Sequence, residues 1–187
     1  MNVLSKEILL NDSLLFDKFW ILMEDAFPLD ERRDKYSFKS MLTEADFFFK
    51  LFVDHKEEPF AFISWWNIEN FRYVEHFMVS SLYRSEGIGS KIFSDFLTQE
   101  SSSVILEVEP VIDLLTERRV NFYKRLGLEL LPYDYKQPPY HKNYPFKPML
   151  LMSNFINIDN NQTGNVVKEI QHKVYRSFGN NPELSEE

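Results

Sequence analysis

Arg84-Ser85-Glu86-Gly87-Ile88-Gly89 joins an apolar, aromatic and β-branched run, Tyr73-Val74-Glu75-His76-Phe77-Met78-Val79, to a segment in which Ile88, Ile92, Phe93, Phe96 and Leu97 recur at helical spacing. Two glycines let the backbone turn tightly, and the first turn of the helix has unpaired N–H groups and partial positive charge. That is an anion-binding turn, and Arg84 adds a cation able to make two parallel hydrogen bonds at its rim. A second strand follows at Val104-Ile105-Leu106-Glu107-Val108-Glu109. Together they predict one βαβ unit with its ligand at the helix N-terminus.

Two better-known glycine loops fit poorly. A Walker A loop requires Lys followed by Ser or Thr after its last glycine, whereas Gly89 is followed by Ser90-Lys91. A dinucleotide fingerprint finds Gly87-x-Gly89 and an acid, Glu107, at a suitable distance, but its third glycine is Ile92 and there is no second βαβ half.

The turn resembles instead the Arg/Gln-x-x-Gly-x-Gly/Ala signature of the GNAT superfamily of acetyl-CoA-dependent N-acetyltransferases, matched by Arg84, Gly87 and Gly89. Asn121-Phe122-Tyr123-Lys124-Arg125-Leu126-Gly127-Leu128 resembles the helix-ending Phe-Tyr-x-Arg-x-Gly-Phe signature of the same superfamily, with Leu128 in place of the usual Phe. Thr116 stands near a position where many members carry a cofactor-touching asparagine. The resemblance spans roughly residues 1–155 and implies an α/β fold: a mixed, mostly antiparallel sheet of about seven strands, a V-shaped splay between the fourth and fifth, and helices on both faces. It also implies direct acetyl transfer from acetyl-CoA to an amine in a ternary complex.

Composition sets the outer limits. A chain of 187 residues is enough for one domain with a sizeable core. It has no cysteine, which removes disulfides, thiolate metal sites and a cysteine acyl-enzyme. The histidines are scattered, no metal-ligand spacing is found, and no metal is expected. Twenty-one basic against 29 acidic residues leave a net charge of −8, unlike a nucleic-acid surface and compatible with a cationic amine, although such a balance also simply keeps proteins soluble. No segment reads as a leader or a membrane span, so a cytoplasmic location without membrane contact is expected.

Along the chain, a short extended start precedes a helix capped by Asn11 or Asp12, with Leu15, Phe16, Phe19, Leu22, Met23 and Phe27 on one face and Pro28 as its stop. A second helix is expected from Asp30 to about Thr43, then strands at 47–53 and 60–66. From Pro132 to Pro148, tyrosines alternate with five prolines, which reads as an ordered loop leading to a strand at Met149–Met152. That loop either shapes the acceptor cleft or packs on itself. Residues 156–187 read as a polar, turn-rich linker to Gly164, an amphipathic helix carrying Val167, Ile170, Val174 and Phe178 and ending at Gly179, and a disordered tail. The helix would dock on the domain or on a second subunit in a homodimer.

The chemistry follows from the resemblance. Backbone N–H groups of Ser85, Glu86, Gly87, Ile88, Gly89 and Ser90, with Arg84, would hold the cofactor pyrophosphate, and the backbone of Met78 and Val79 would pair with the pantetheine arm. That pairing requires a bulge in the strand and its separation from the next. On a regular strand Tyr73, Glu75, Phe77 and Val79 share one face, with His76 opposite. Glu75 is the first choice for the general base, directly or through a water, with Glu107 and Glu109 in reserve; its alternative is a salt-bridged strand residue. Tyr123 matches the family tyrosine near the thioester sulfur, suited to protonating the leaving thiolate; otherwise it is a core aromatic. A non-catalytic acyl-CoA-binding or sensing domain is the alternative to an enzyme.

Overall fold

The computed structural model describes residues 1–84, 87–99, 102–155 and 159–176. Its strands are β1 (Asn2–Ser5), β2 (Phe47–Val53), β3 (Pro59–Ile68), β4 (Phe71–Val79), β5 (Ser103–Val108), β6 (Glu129–Leu130), β7 (Tyr135–Gln137) and β8 (Lys147–Ser153). They form one sheet in the order β1-β2-β3-β4-β5-β8-β6, with β7 also paired to β8. Every pairing is antiparallel except β4 with β5.

Helices α1 (Lys6–Asn11), α2 (Ser13–Ala26), α3 (Lys35–Met41) and α6 (Asn160–Ile170) contribute to one buried cluster, built around Phe19, Phe38, Phe62, Trp66 and Ile170. Helices α4 (Ile88–Thr98) and α5 (Leu114–Arg125) contribute to a second, around Phe93, Phe96, Val74 and Leu106. Burial of these aromatic and aliphatic faces on both sides of the sheet is the main favourable term in folding.

Helix boundaries follow short-range chemistry. Asp12 caps α2 by accepting from Leu15 N at 2.9 Å, and Asp113 and Thr116 form a capping box on α5. The helix expected over residues 30–43 is broken in two: a 3-10 turn, Leu29–Glu31, is followed by extended Arg32 and then by α3, capped by Asp34. The break turns Arg33 inward, where it is 2% exposed. Lys6–Asn11, expected to be extended, is helical, and Tyr135–Gln137 forms a short strand inside the expected loop.

The C-terminal helix also starts earlier than its polar sequence suggests, because Asp159 and Gln162 form a second capping box. Gly164 lets it approach Tyr133, whose hydroxyl would lie 3.4 Å from a Cβ there. The helix continues as a π-helical turn, Gln171–Arg176, and Val167, Ile170, Val174 and Tyr175 are buried in the first cluster. Phe178, Gly179 and the expected tail lie outside the described residues.

Candidate active site at the splay of β4 and β5

The parallel pairing of β4 with β5 runs from Phe71↔Ser103 to Val74↔Leu106 and stops, although β4 continues to Val79 and β5 to Val108. Beyond Val74 the two strands part, which leaves that edge of Phe77, Met78 and Val79 without its β5 ladder. Such an edge can pair with an extended ligand, as any open strand can.

A bulge accompanies the parting. Ser64 pairs with His76 and Trp65 with Val74, so Glu75 is the extra residue of β4. The bulge reverses the expected alternation. Tyr73 and Met78 belong to the cluster on the α2 face, and Phe77 and Val79 pack on the other cluster with α4. His76, expected to face away from Glu75, lies on the α2 side with it, edge-on to Phe27 at 4.6 Å, and Glu75 reaches Trp66 of the same cluster. Burial holds the His76 imidazole below its ordinary range, and so neutral.

At the far end of β4 lies the glycine turn. Gly87 has φ +72, a left-handed conformation, and begins α4 with no side-chain cap, and the first-turn N–H groups of a helix have no partner in its own ladder. A Cβ on Gly89 would meet Val79 Cγ2 at 3.5 Å and Phe122 at 3.9 Å, so the helix start sits close against β4 and α5. Arg84 donates through Nε to Val79 O at 3.0 Å, which uses one of the five guanidinium donors. Ser85 and Glu86 lie outside the described residues. Open strand edge, parted neighbour and glycine turn therefore all lie toward the C-terminal end of β4.

Glu75 and Glu107 are the first residues of β4 and β5 beyond the last paired couple, so two carboxylates flank the apex of the splay. The Glu75 side chain is fully buried; it accepts from Arg33 Nη1 at 2.7 Å and from Trp66 Nε1 at 2.7 Å. Arg33 also donates to Val174 O and lies over the Tyr140 ring at 4.9 Å. Glu107 is surrounded differently: it accepts from Tyr73 Oη at 2.9 Å, Tyr135 Oη at 2.5 Å and Gln137 Nε2 at 2.5 Å, with Tyr175 Oη at 3.2 Å. Burial pushes the Glu107 carboxyl up to about 7, against the pull of these donors.

Tyr123, on α5, is 8% exposed and packs edge-on to Phe93 at 5.1 Å and Phe122 at 5.0 Å. Burial holds its phenol well above the ordinary range; Arg119 opposes that shift and Glu109 adds to it. Helix α5 ends at Arg125, with Gly127 at φ +87 and Leu128 N donating to Tyr123 O at 3.1 Å, a left-handed helix stop. Glu109, paired with Arg119, and Glu31, paired with Lys147, complete a charged rim. Thr116 is committed to the helix cap, receiving N–H bonds from Ile112 and Asp113 at 3.1 Å.

No family model and no curated protein sequence matches the chain. Solved structures do. A Bacteroides thetaiotaomicron protein assigned to the GNAT family of acetyltransferases superposes with a TM-score of 0.82 at 27% identity, over 94% of this chain and 98% of that one. The chain has the fold of the GNAT superfamily. Two further neighbours agree in fold. Arabidopsis thaliana NAA60 in complex with acetyl-CoA has a TM-score of 0.61 at 16% identity, over 84% of this chain and 99% of that one. An aminoglycoside 6'-N-acetyltransferase complexed with coenzyme A has a TM-score of 0.56 at 18% identity, over 85% and 100% respectively.

That likeness supports acetyl transfer as the class of chemistry. Within this GNAT-like fold, sequence reasoning missed Arg33, Tyr135, Gln137 and Tyr175, all of which reach the two apex carboxylates. One signal was available: Arg32-Arg33-Asp34 interrupts an otherwise helical stretch with a cap residue.

Proposed function

We propose that this chain transfers the acetyl group of acetyl-CoA directly to a primary amine in a ternary complex, as one domain over residues 1–155 on which the C-terminal helix docks. The observation that carries this reading is the separation of β4 from β5 at the Glu75 bulge, on the strand that leads into the glycine turn. In it, the backbone of Met78 and Val79 pairs with the pantetheine arm, and Arg84 with the helix start at Gly87, Ile88, Gly89 and Ser90 takes the pyrophosphate; Ser85 and Glu86 belong to the same proposed cradle. Holding thioester and amine together supplies up to about 7–11 kcal/mol of the barrier reduction.

Tyr123 is the proposed donor to the departing thiolate, and Glu75 the proposed proton acceptor for the amine, directly or through a water. Glu75 stands at the apex of the splay, where an acceptor would meet the thioester. Its pair with Arg33 has to open before the carboxylate takes a proton, so Glu75→Gln is expected to lower kcat about tenfold, below the usual contribution of a general base. The loss should be largest below the pKa of the acceptor amine, where the amine arrives as ammonium. An unchanged pH–rate profile would assign the base elsewhere.

The whole reading is tested by CoA release from acetyl-CoA with a panel of primary amines. CoA binding without release on any amine would replace the enzyme by a sensor. The cradle is tested separately: Arg84→Ala combined with Gly89→Glu is expected to weaken acetyl-CoA binding by about 10–100-fold, through loss of a charge-assisted contact and gain of a repulsive one. Unchanged affinity in an equilibrium titration would remove the pyrophosphate assignment.

A further inference from the structure

Glu107 is half-buried, and among the described residues its carboxylate receives hydrogen bonds from three tyrosines and one glutamine and from no cation. The neighbouring apex carboxylate, Glu75, has its own arginine. Four neutral donors satisfy the lone pairs of a carboxylate but leave its charge uncompensated, and a charge largely withdrawn from water is ordinarily matched by a counter-charge. The side chains around it are also those that receive cations. Tyr73 and Tyr175 hydroxyls lie 3.0 Å apart, the Tyr140 and Tyr175 rings lie 5.3 Å apart, and Tyr140 already carries the Arg33 guanidinium over its face. A carboxylate with several electron-rich rings is the chemistry that recognises an alkylammonium.

The donors are not held equally. Tyr135 and Gln137, from β7, approach Glu107 at 2.5 Å and Tyr73, from β4, at 2.9 Å, whereas Tyr175 stands at 3.2 and 3.3 Å. Tyr175 also comes from the irregular π-helical turn after α6, rather than from the sheet. It is the weakest contact on the least regular support, and so the donor most readily displaced.

We propose that Glu107, with the rings of Tyr73, Tyr140 and Tyr175, is the subsite for the acceptor's ammonium group, and that the amine enters by displacing the Tyr175 hydroxyl. This rests on the amine-acceptor reading above and narrows it: the acceptor arrives as a cation, selected by a carboxylate that lacks one. The charged and titratable groups facing Glu107 are Tyr73 and Glu75 from β4, Tyr135 from β7, Tyr140 from the loop after it, Tyr175 from the C-terminal turn, and Arg33 through its pair with Glu75. Burial, before the nearby carboxylate charge, raises all four phenols well above their ordinary range, so above neutrality the cluster presents one uncompensated negative charge beside the neutral Arg33–Glu75 pair.

The experiment is an equilibrium titration of the full chain, saturated with CoA and held above neutral pH, with n-butylammonium and with its neutral analogue n-butanol. The wild type is expected to bind the ammonium at least about tenfold more tightly than the alcohol, as a charge-assisted contact replaces a neutral one. Glu107→Gln should abolish that preference, and Tyr175→Phe should leave it intact or enlarge it, because a competing hydroxyl is gone. Binding of neither probe, equal binding of both, a preference that survives Glu107→Gln, or its loss in Tyr175→Phe would each overturn the proposal. If Glu107→Gln fails to fold, the wild-type preference and the Tyr175→Phe result still decide. The titration needs no turnover, so it succeeds or fails independently of the thioester assay that tests acetyl transfer.

Discussion

Replacing Tyr123 by Phe is expected to lower kcat by about 10²–10³-fold while changing acetyl-CoA affinity by no more than about a factor of two. The asymmetry follows from what the substitution removes. The ring keeps its contacts with Phe93 and Phe122, so the fold of α5 and the wall beside the splay are retained. Only a hydroxyl is lost, and its proposed partner, the departing thiolate, carries developing charge in the transition state and none in the ground state. An interaction made only there lowers kcat and kcat/KM together.

The direction of the phenol's shift sharpens that test. Burial disfavours the phenolate, so Tyr123 keeps its proton past the ordinary value of 10 and remains a donor through the alkaline range. A fall in rate below pH 10 therefore belongs to another group, and Tyr123→Phe should lower the whole profile without moving its basic limb. Unchanged kcat would reduce Tyr123 to packing, and a shifted basic limb would contradict the protonated donor.

What the sequence made legible is what short stretches of chain determine by themselves. The strand–turn–helix around Gly87 and the helix stop at Gly127 depend on glycine at positive φ, +72 and +87, which few other residues tolerate. The face assignments of β4 failed for the complementary reason. A bulge is a property of two strands, and alternation counted along β4 alone cannot show that Ser64 and Trp65 of β3 skip Glu75. The polar cluster at the apex was illegible for the same kind of reason. Glu75 meets Arg33 across 42 positions of sequence and Tyr73 meets Tyr175 across 102, and no local pattern records a contact of that span.

The Tyr- and Pro-rich stretch from 132 to 148 illustrates both sides. Its prolines do exclude a helix, as read, but Tyr135–Gln137 lies between them and pairs with β8, which aims Tyr135 and Gln137 at Glu107. Alternation then places Lys136 outward and exposed. A short strand, rather than a loop, thus supplies two of the four groups around an apex carboxylate.

Arg33→Met should destabilise the protein by about 3–5 kcal/mol, the usual consequence of removing one member of a buried ion pair. Arg33 is 2% exposed and the Glu75 side chain fully buried, so the surviving carboxylate would keep the Trp66 N–H and lose its charge partner. Val174 O would lose its donor as well, which loosens the C-terminal turn at the point where Tyr175 meets Glu107. The double variant Arg33→Met, Glu75→Gln should recover a large part of the loss, because it removes both charges together and Met fills much of the space left beside Tyr140. Denaturant unfolding of the two single variants and the double one closes the cycle. Additive effects would mean that Arg33 and Glu75 do not act on each other, and an unchanged midpoint for Arg33→Met would mean that the arginine is not the charge partner its geometry makes it.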